Sequence, residues 1–103
     1  MAETTINLYS NTQTLPTEAM YQAMRDAPLG DDQQQLDPTV NRLEELTAAR
    51  CGREAALFVP SGMMGNLCGS MALARHGDEL LIDTQAHYWY YEAGAFASVP
   101  GLV

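Results

Sequence analysis

Twenty consecutive residues, Ala55 to Ala74, carry no charge, and Pro60-Ser61-Gly62 interrupts them near the start. Few other features limit the fold as much. A run of about 20 predominantly apolar residues can cross a bilayer, and Gly65 and Gly69 have the spacing that lets membrane helices pack closely. Yet Pro60, Ser61, Gly62, Gly65, Asn66, Gly69 and Ser70 all fall inside the run. They dilute it too heavily for a spanning helix. The run reads instead as a buried strand (Ala55 to Val59), a turn, and an apolar helix (Met63 to Arg75). Gly65 and Gly69 would then let another backbone approach.

Downstream, His76-Gly77-Asp78 closes that helix and Glu79 to Asp83 (ELLID) is expected as a second buried strand. Thr84 to His87 reads as a loop, Tyr88 to Ala97 as a helix, and Gly101-Leu102-Val103 as the first residues of another apolar segment. Strands alternating with helices signal crossover units on a mostly parallel sheet. Two strands and a beginning make too little sheet, so the expectation is part of a larger α/β domain; the alternative is a small complete α+β domain. Upstream, Ile6 to Tyr9 is read as extended and Ser10-Asn11-Thr12 as a polar turn. Pro16-Thr17-Glu18 opens a helix with Met20, Ala23, Met24 and Ala27 on one face. Gly30 to Leu36 is a loop. Asp37-Pro38 starts a further helix, with Asp as N-cap and Pro in the first turn, and Gly52 stops it. The expected division is residues 1–52, an arm with helices, and 53–103, the start of the α/β domain.

Composition removes several function classes. The 103 residues carry 13 acids against 5 bases, a formal charge of -8. That opposes non-specific binding to nucleic acid or to an anionic membrane. All five bases are arginine (Arg25, Arg42, Arg50, Arg53, Arg75), so there is no lysine. Cys51 and Cys68 are too few for a disulfide framework and fit free thiols in a reducing cytosol. The first residues lack the basic and apolar regions of a secretory signal. A cytoplasmic location is the expectation.

The turn Ser61-Gly62-Met63-Met64-Gly65-Asn66 follows a strand and opens a helix, an arrangement that aims free N–H groups and a positive dipole end at an anion. It contains neither GxGxxG nor GxxxxGK[ST]. By itself it is compatible with phosphate binding or with a tight packing turn. His87 follows the ELLID strand, so it would lie at the same sheet edge as the turn, where α/β ligands bind; a structural role stays open for it. His76, Asp83, His87, Cys51 and Cys68 lack metal-ligand spacing. Asp31-Asp32 and Glu44-Glu45 read as solvated acids. The aromatics at 88–91 lack the basic neighbours that nucleic-acid stacking needs.

Four stretches together resemble the threonine aldolase and β-eliminating lyase family, enzymes that use pyridoxal 5'-phosphate (PLP). Ser10-Asn11-Thr12 is similar to the family's Ser-Asp-Thr. Gly30-Asp31-Asp32 with Asp37-Pro-Thr-Val-Asn-Arg-Leu-Glu44 is similar to its GDD…DPTVNRLE signature. Glu54-Ala-Ala-Leu-Phe-Val-Pro-Ser-Gly62 is similar to EAALFVPSG. Asp83-Thr-Gln-Ala-His87 with Tyr91-Glu-Ala-Gly94 is similar to its AH…YEAG segment. The resemblance covers Ile6 to Val103.

It implies the N-terminal part of a fold-type I PLP enzyme, a three-layer α/β/α domain, forming homodimers or homotetramers. Gly62 and Met63, with Ser61, would hold the cofactor phosphate. His87 would stack on the cofactor ring and help take a substrate proton. Ser10 would lie near the substrate, with Asn11, Asp31 and Glu92 as further neighbours. The implied parent reaction is retro-aldol cleavage of a β-hydroxy-α-amino acid of the threonine or allo-threonine type to glycine and an aldehyde. Elimination, racemisation, or a non-catalytic anion-binding remnant are the alternatives. The sequence departs from the family pattern at Met63, usually threonine, at Asn11, usually aspartate, and at Gln34-Gln35-Leu36, usually Tyr-Gly-Glu. The lysine that the family uses to bond PLP is not among these residues.

Overall fold

A computed structural model describes residues 6–103, which divide into two compact units, 6–56 and Leu57–Val103. Each is built from helices and turns.

In the first unit, Ser10 caps a single 3-10 turn, Asn11–Gln13, by accepting from the Thr12 N–H. Helix α1 spans Glu18–Asp26. Thr17 caps it by accepting from the Met20 N–H at 3.3 Å, as the Pro-Thr-Glu start predicts. Helix α2 spans Pro38–Cys51, capped by Asp37 and ended by Gly52 in the left-handed conformation (φ 60). Both ends fall where the sequence puts them, because Pro at N1 and Gly at the C-terminal stop each suit a backbone shape other residues resist. Between the helices, the expected loop 30–36 contains a 3-10 turn, Asp32–Gln34.

In the second unit, α3 spans Gly62–Leu73. The helix expected over Tyr88 to Ala97 is instead two single turns, α4 (His87–Tyr90) and α5 (Ala95–Ser98). Ala93 and Gly94 split it, at φ 51 and 73. Two left-handed residues in succession cannot continue a right-handed helix.

The expected strands are corrected by this structure. None of the described residues forms a β-strand, so the parallel sheet over 55–59 and 79–83 is not built here. One trace of it survives. The Val103 N–H donates to Asp78 O at 3.1 Å and the Leu80 N–H donates to Val103 O at 2.8 Å. That reciprocal pair is a single rung between Glu79 and Val103 in the parallel sense. A strand exists only where a neighbour runs beside it over several residues, and here the pairing stops after one rung.

The buried apolar side chains are correspondingly few: Ala48 in the first unit and Leu102 in the second. Helix α3 is uncharged, with Asn66 and Ser70 as its polar residues, yet none of its residues is buried. No helix among the described residues is long and apolar enough to cross a membrane.

Candidate functional site

The second unit concentrates its unusual chemistry at the start of α3 and at His87. Ser61 is extended (φ -151, ψ 153) and caps α3, its Oγ accepting from the Met64 N–H at 3.2 Å. The Gly65 N–H donates to Ser61 O at 3.1 Å as the first helical bond. Among the described residues, the N–H groups of Gly62 and Met63 have no acceptor. These are orphan donors of a helix N-terminus, and the dipole adds partial positive charge beside them. A Cβ placed on Gly62 would meet no atom of another segment within 4 Å, so the space beside its Cα is open. A dianionic phosphate ester fits donors, dipole and space together.

His87 is the first residue of α4. A turn at Asp83 sets it up, with Asp83 Oδ1 accepting from the Gln85 N–H at 2.7 Å and Asp83 O from the Ala86 N–H at 3.0 Å. The imidazole is two-thirds exposed (66%) and its Nδ1 bonds Glu92 Oε1 at 2.9 Å. Its ring lies 5.1 Å from that of Tyr91 at a 33° tilt. Glu92 is the opposite case, a carboxylate with 1% exposure. The same Oε1 accepts from Asn66 Nδ2 at 2.7 Å, while Oε2 is buried with no partner among the described residues.

Asn66 and Ser70 are one turn apart on the same side of α3. Asn66 takes Glu92, and Ser70 Oγ donates to Tyr88 Oη at 2.9 Å. Two polar ties therefore hold α4 and its following turn against α3. Tyr88 and Trp89 also pack on Phe96, at ring distances of 5.9 and 5.3 Å. The cluster's rings pack on one another, while Trp89, Tyr90 and Tyr91 stay exposed. His87 lies two hydrogen bonds, through Glu92, from Asn66, itself one helical turn (about 5.4 Å) beyond the α3 start.

The remaining sequence-derived candidates lie in the first unit. Ser10 Oγ accepts from the Thr12 N–H and pairs with Thr12 Oγ1 at 2.9 Å, so its hydroxyl serves a turn. Asn11 is exposed beside it. The Asp31 carbonyl accepts from the Gln34 and Leu36 N–H groups, and its side chain makes no cap. A concavity of about 370 Å³ in this unit is lined by Glu44, Glu45 and Glu54, with Gln35 and Asn41, which suits an anion poorly.

Sequence reasoning missed two sets of residues. Asn66 is read there as dilution of an apolar run and as the end of the turn, not as a partner of Glu92, whose buried carboxylate it satisfies. The other set is Asp37, Thr39 and Asn41. Beyond capping α2, Asp37 accepts from the Gly30 N–H through Oδ2 at 3.0 Å. Thr39 Oγ1 donates to Pro28 O at 2.8 Å and Asn41 Nδ2 to Gln35 O at 2.9 Å. Three alternate side chains of one segment therefore hold the loop before it. The N–H groups of Val40, Gly30 and Thr39 lower the Asp37 carboxyl below the ordinary aspartate value, against the opposing effect of burial.

The comparisons with known proteins cover nearly the whole chain. The family model described as Beta-eliminating lyase matches residues 7–103. A low specificity L-threonine aldolase of Escherichia coli (strain K12) is 42% identical over 92 residues, 89% of this chain and 28% of the relative. Low-specificity L-threonine aldolase 1 of Arabidopsis thaliana is 43% identical over 103 residues, 99% of this chain and 29% of the relative. A low-specificity L-threonine aldolase of Candida albicans is 39% identical over 99 residues, 93% of this chain and 26% of the relative. The chain therefore spans less than a third of the length of each of these relatives.

Proposed function

This chain belongs to the beta-eliminating lyase family, and on that premise we propose that it is the N-terminal part of a PLP-dependent lyase that cleaves β-hydroxy-α-amino acids to glycine and an aldehyde. The observation that carries the reading is the pair of unpaired N–H groups at Gly62 and Met63, linked through Asn66 and Glu92 to an exposed His87. Relatives named as L-threonine aldolases support the substrate class. Bound PLP would supply an electron sink for the bond broken at the substrate Cα.

The residues of this chain divide the remaining work. Gly62 and Met63 would hold the cofactor phosphate through backbone N–H groups, so the family's usual threonine could be Met63 at the cost of one hydroxyl contact. Ser61 Oγ already accepts from Met64, which leaves its own proton to donate to the phosphate. Anchoring the phosphate fixes the ring orientation, and orientation is a large part of the barrier lowered. With the cofactor bound, His87 would face its ring and would take the proton of the substrate β-hydroxyl at Nε2, the nitrogen that Glu92 does not occupy. Substrate-side roles for Ser10, Asn11 and Asp31 rest on the family resemblance alone. The family supports a cofactor domain of fold type I, taken here to start at residue 53. The amine that bonds PLP comes from outside these 103 residues, since all five bases here are arginine. A cytoplasmic homodimer or homotetramer completes the reading.

The test is a titration of the intact protein with PLP, followed by incubation with L-threonine and L-allo-threonine. Saturable binding with release of acetaldehyde and glycine is expected. Absence of PLP binding overturns the cofactor reading. Binding with no aldehyde, but with 2-oxobutanoate and ammonia or an inverted amino acid as product, overturns the aldol assignment.

A further inference from the structure

We propose that Glu92 is a positioning residue that holds His87 in the tautomer protonated at Nδ1, leaving Nε2 unprotonated and open to solvent. The role of Nε2 in the reaction rests on the function proposed above; the tautomer itself rests on hydrogen bonding alone.

Glu92 Oε1 already accepts from Asn66 Nδ2, an obligate donor, at 2.7 Å. The same oxygen faces His87 Nδ1 at 2.9 Å. An oxygen acting as acceptor on one side presents its other lone pair to the ring, so the ring nitrogen is the donor. A histidine that donates from Nδ1 keeps Nε2 as its acceptor when neutral. The ring's 66% exposure leaves that second nitrogen accessible while the carboxylate has none of its surface in water. Glu92 and Tyr91 are the titratable groups found at the ring.

The glutamate itself is held from three directions. Asn66 fixes the carboxylate from α3. The Ala95 N–H donates to Glu92 O at 2.9 Å. The left-handed pair Ala93 and Gly94 follows at once, and a non-glycine residue at φ 51 adopts that shape only where its surroundings enforce it. A purely structural tie between α3 and α4 would be served as well by a glutamine, without burying a charge-bearing group. The buried Oε2 without a partner is a further cost that packing alone does not explain. A carboxylate at this position gives what an amide cannot, a charge-assisted bond to the imidazole that strengthens when Nε2 gains a proton.

The experiment is nitrogen NMR of His87 in the intact protein carrying labelled histidine, in the wild type and in Glu92→Gln, Glu92→Ala and Asn66→Ala. The wild type should show a single neutral tautomer, protonated at Nδ1. Glu92→Gln, which keeps the shape, should lower the Nδ1-H to Nε2-H ratio roughly tenfold, as a neutral bond replaces a charge-assisted one. Glu92→Ala should lower it further, and Asn66→Ala should leave it close to wild type. With β-hydroxy amino acid as substrate, Glu92→Gln should reduce kcat about tenfold with little change in KM. A wild-type His87 protonated at Nε2 overturns the inference even if every variant fails to fold. So does an Asn66→Ala effect as large as that of Glu92→Gln, which would mark a structural tie only. Failure of PLP to bind would refute the proposed function and leave the tautomer result standing.

Discussion

The loop at 28–41 and the site at 61–92 use the same kinds of residue in opposite ways. In the first, Asp37 accepts from three N–H groups, and Thr39 and Asn41 each donate to a loop carbonyl. In the second, two helix N–H groups and one carboxylate oxygen have no partner among the described residues, and an imidazole faces solvent. A polar network whose partners all lie within the chain rigidifies it. One with donors left over has room for a ligand. The most recognisable signature of this sequence, DPTVNRLE, is therefore read as scaffold, and the less distinctive SGMMGN turn as site.

That contrast can be broken most forcefully at His87. His87→Phe keeps a flat ring against the cofactor but removes the proton acceptor. Aldehyde formation should fall by roughly 10²–10⁴ with PLP affinity little changed; retained activity would move the base elsewhere. The next largest effect is expected at Gly62. Gly62→Pro deletes one N–H at a helix position where proline is well tolerated, following an extended residue. PLP should bind about ten- to a hundredfold more weakly, as for a lost charge-assisted bond, with the circular dichroism spectrum unchanged.

On the scaffold side, effects should appear in stability and leave cofactor affinity alone. A Cβ on Gly30 would lie 2.1 Å from Leu36 O. Gly30→Ala should therefore cost about 1–3 kcal/mol in denaturant unfolding. The smallest effect is the pH dependence of Asp37. Its folded value is depressed below the ordinary 3.8, so the ionised group stabilises the fold above that pH. The contribution should be lost as pH falls from 3.8 through the lower folded value. Asp37→Asn, which can still cap the helix through one oxygen but offers no acceptor to the Gly30 N–H, should flatten that acid limb of a melting-temperature profile and lower the midpoint at pH 7 by the contribution that limb carries.

Much of this was legible in the residues, and the illegible part has a physical cause. The helix limits at Thr17, Asp37 and Gly52 followed from local capping chemistry, which neighbours in sequence decide. The break at Ala93-Gly94 was missed because alanine gives no hint that it will adopt a positive φ. The strands failed for a different reason. Hydrophobic runs such as Glu79 to Asp83 state a preference, but a ladder needs a neighbouring chain segment, and here only Val103 supplies one rung. His87 was named from its place after a strand, whereas its partnership with Glu92, five residues on, depends on the two left-handed residues that turn the chain there.

The central claim, that the α3 start holds a phosphate, is tested most directly by the amide signals of Gly62 and Met63 in the intact protein. Addition of PLP should shift both strongly downfield, and pyridoxal, which lacks the phosphate, should leave them in place. Signals that stay fixed with PLP while others move, or that respond equally to pyridoxal, would contradict the claim.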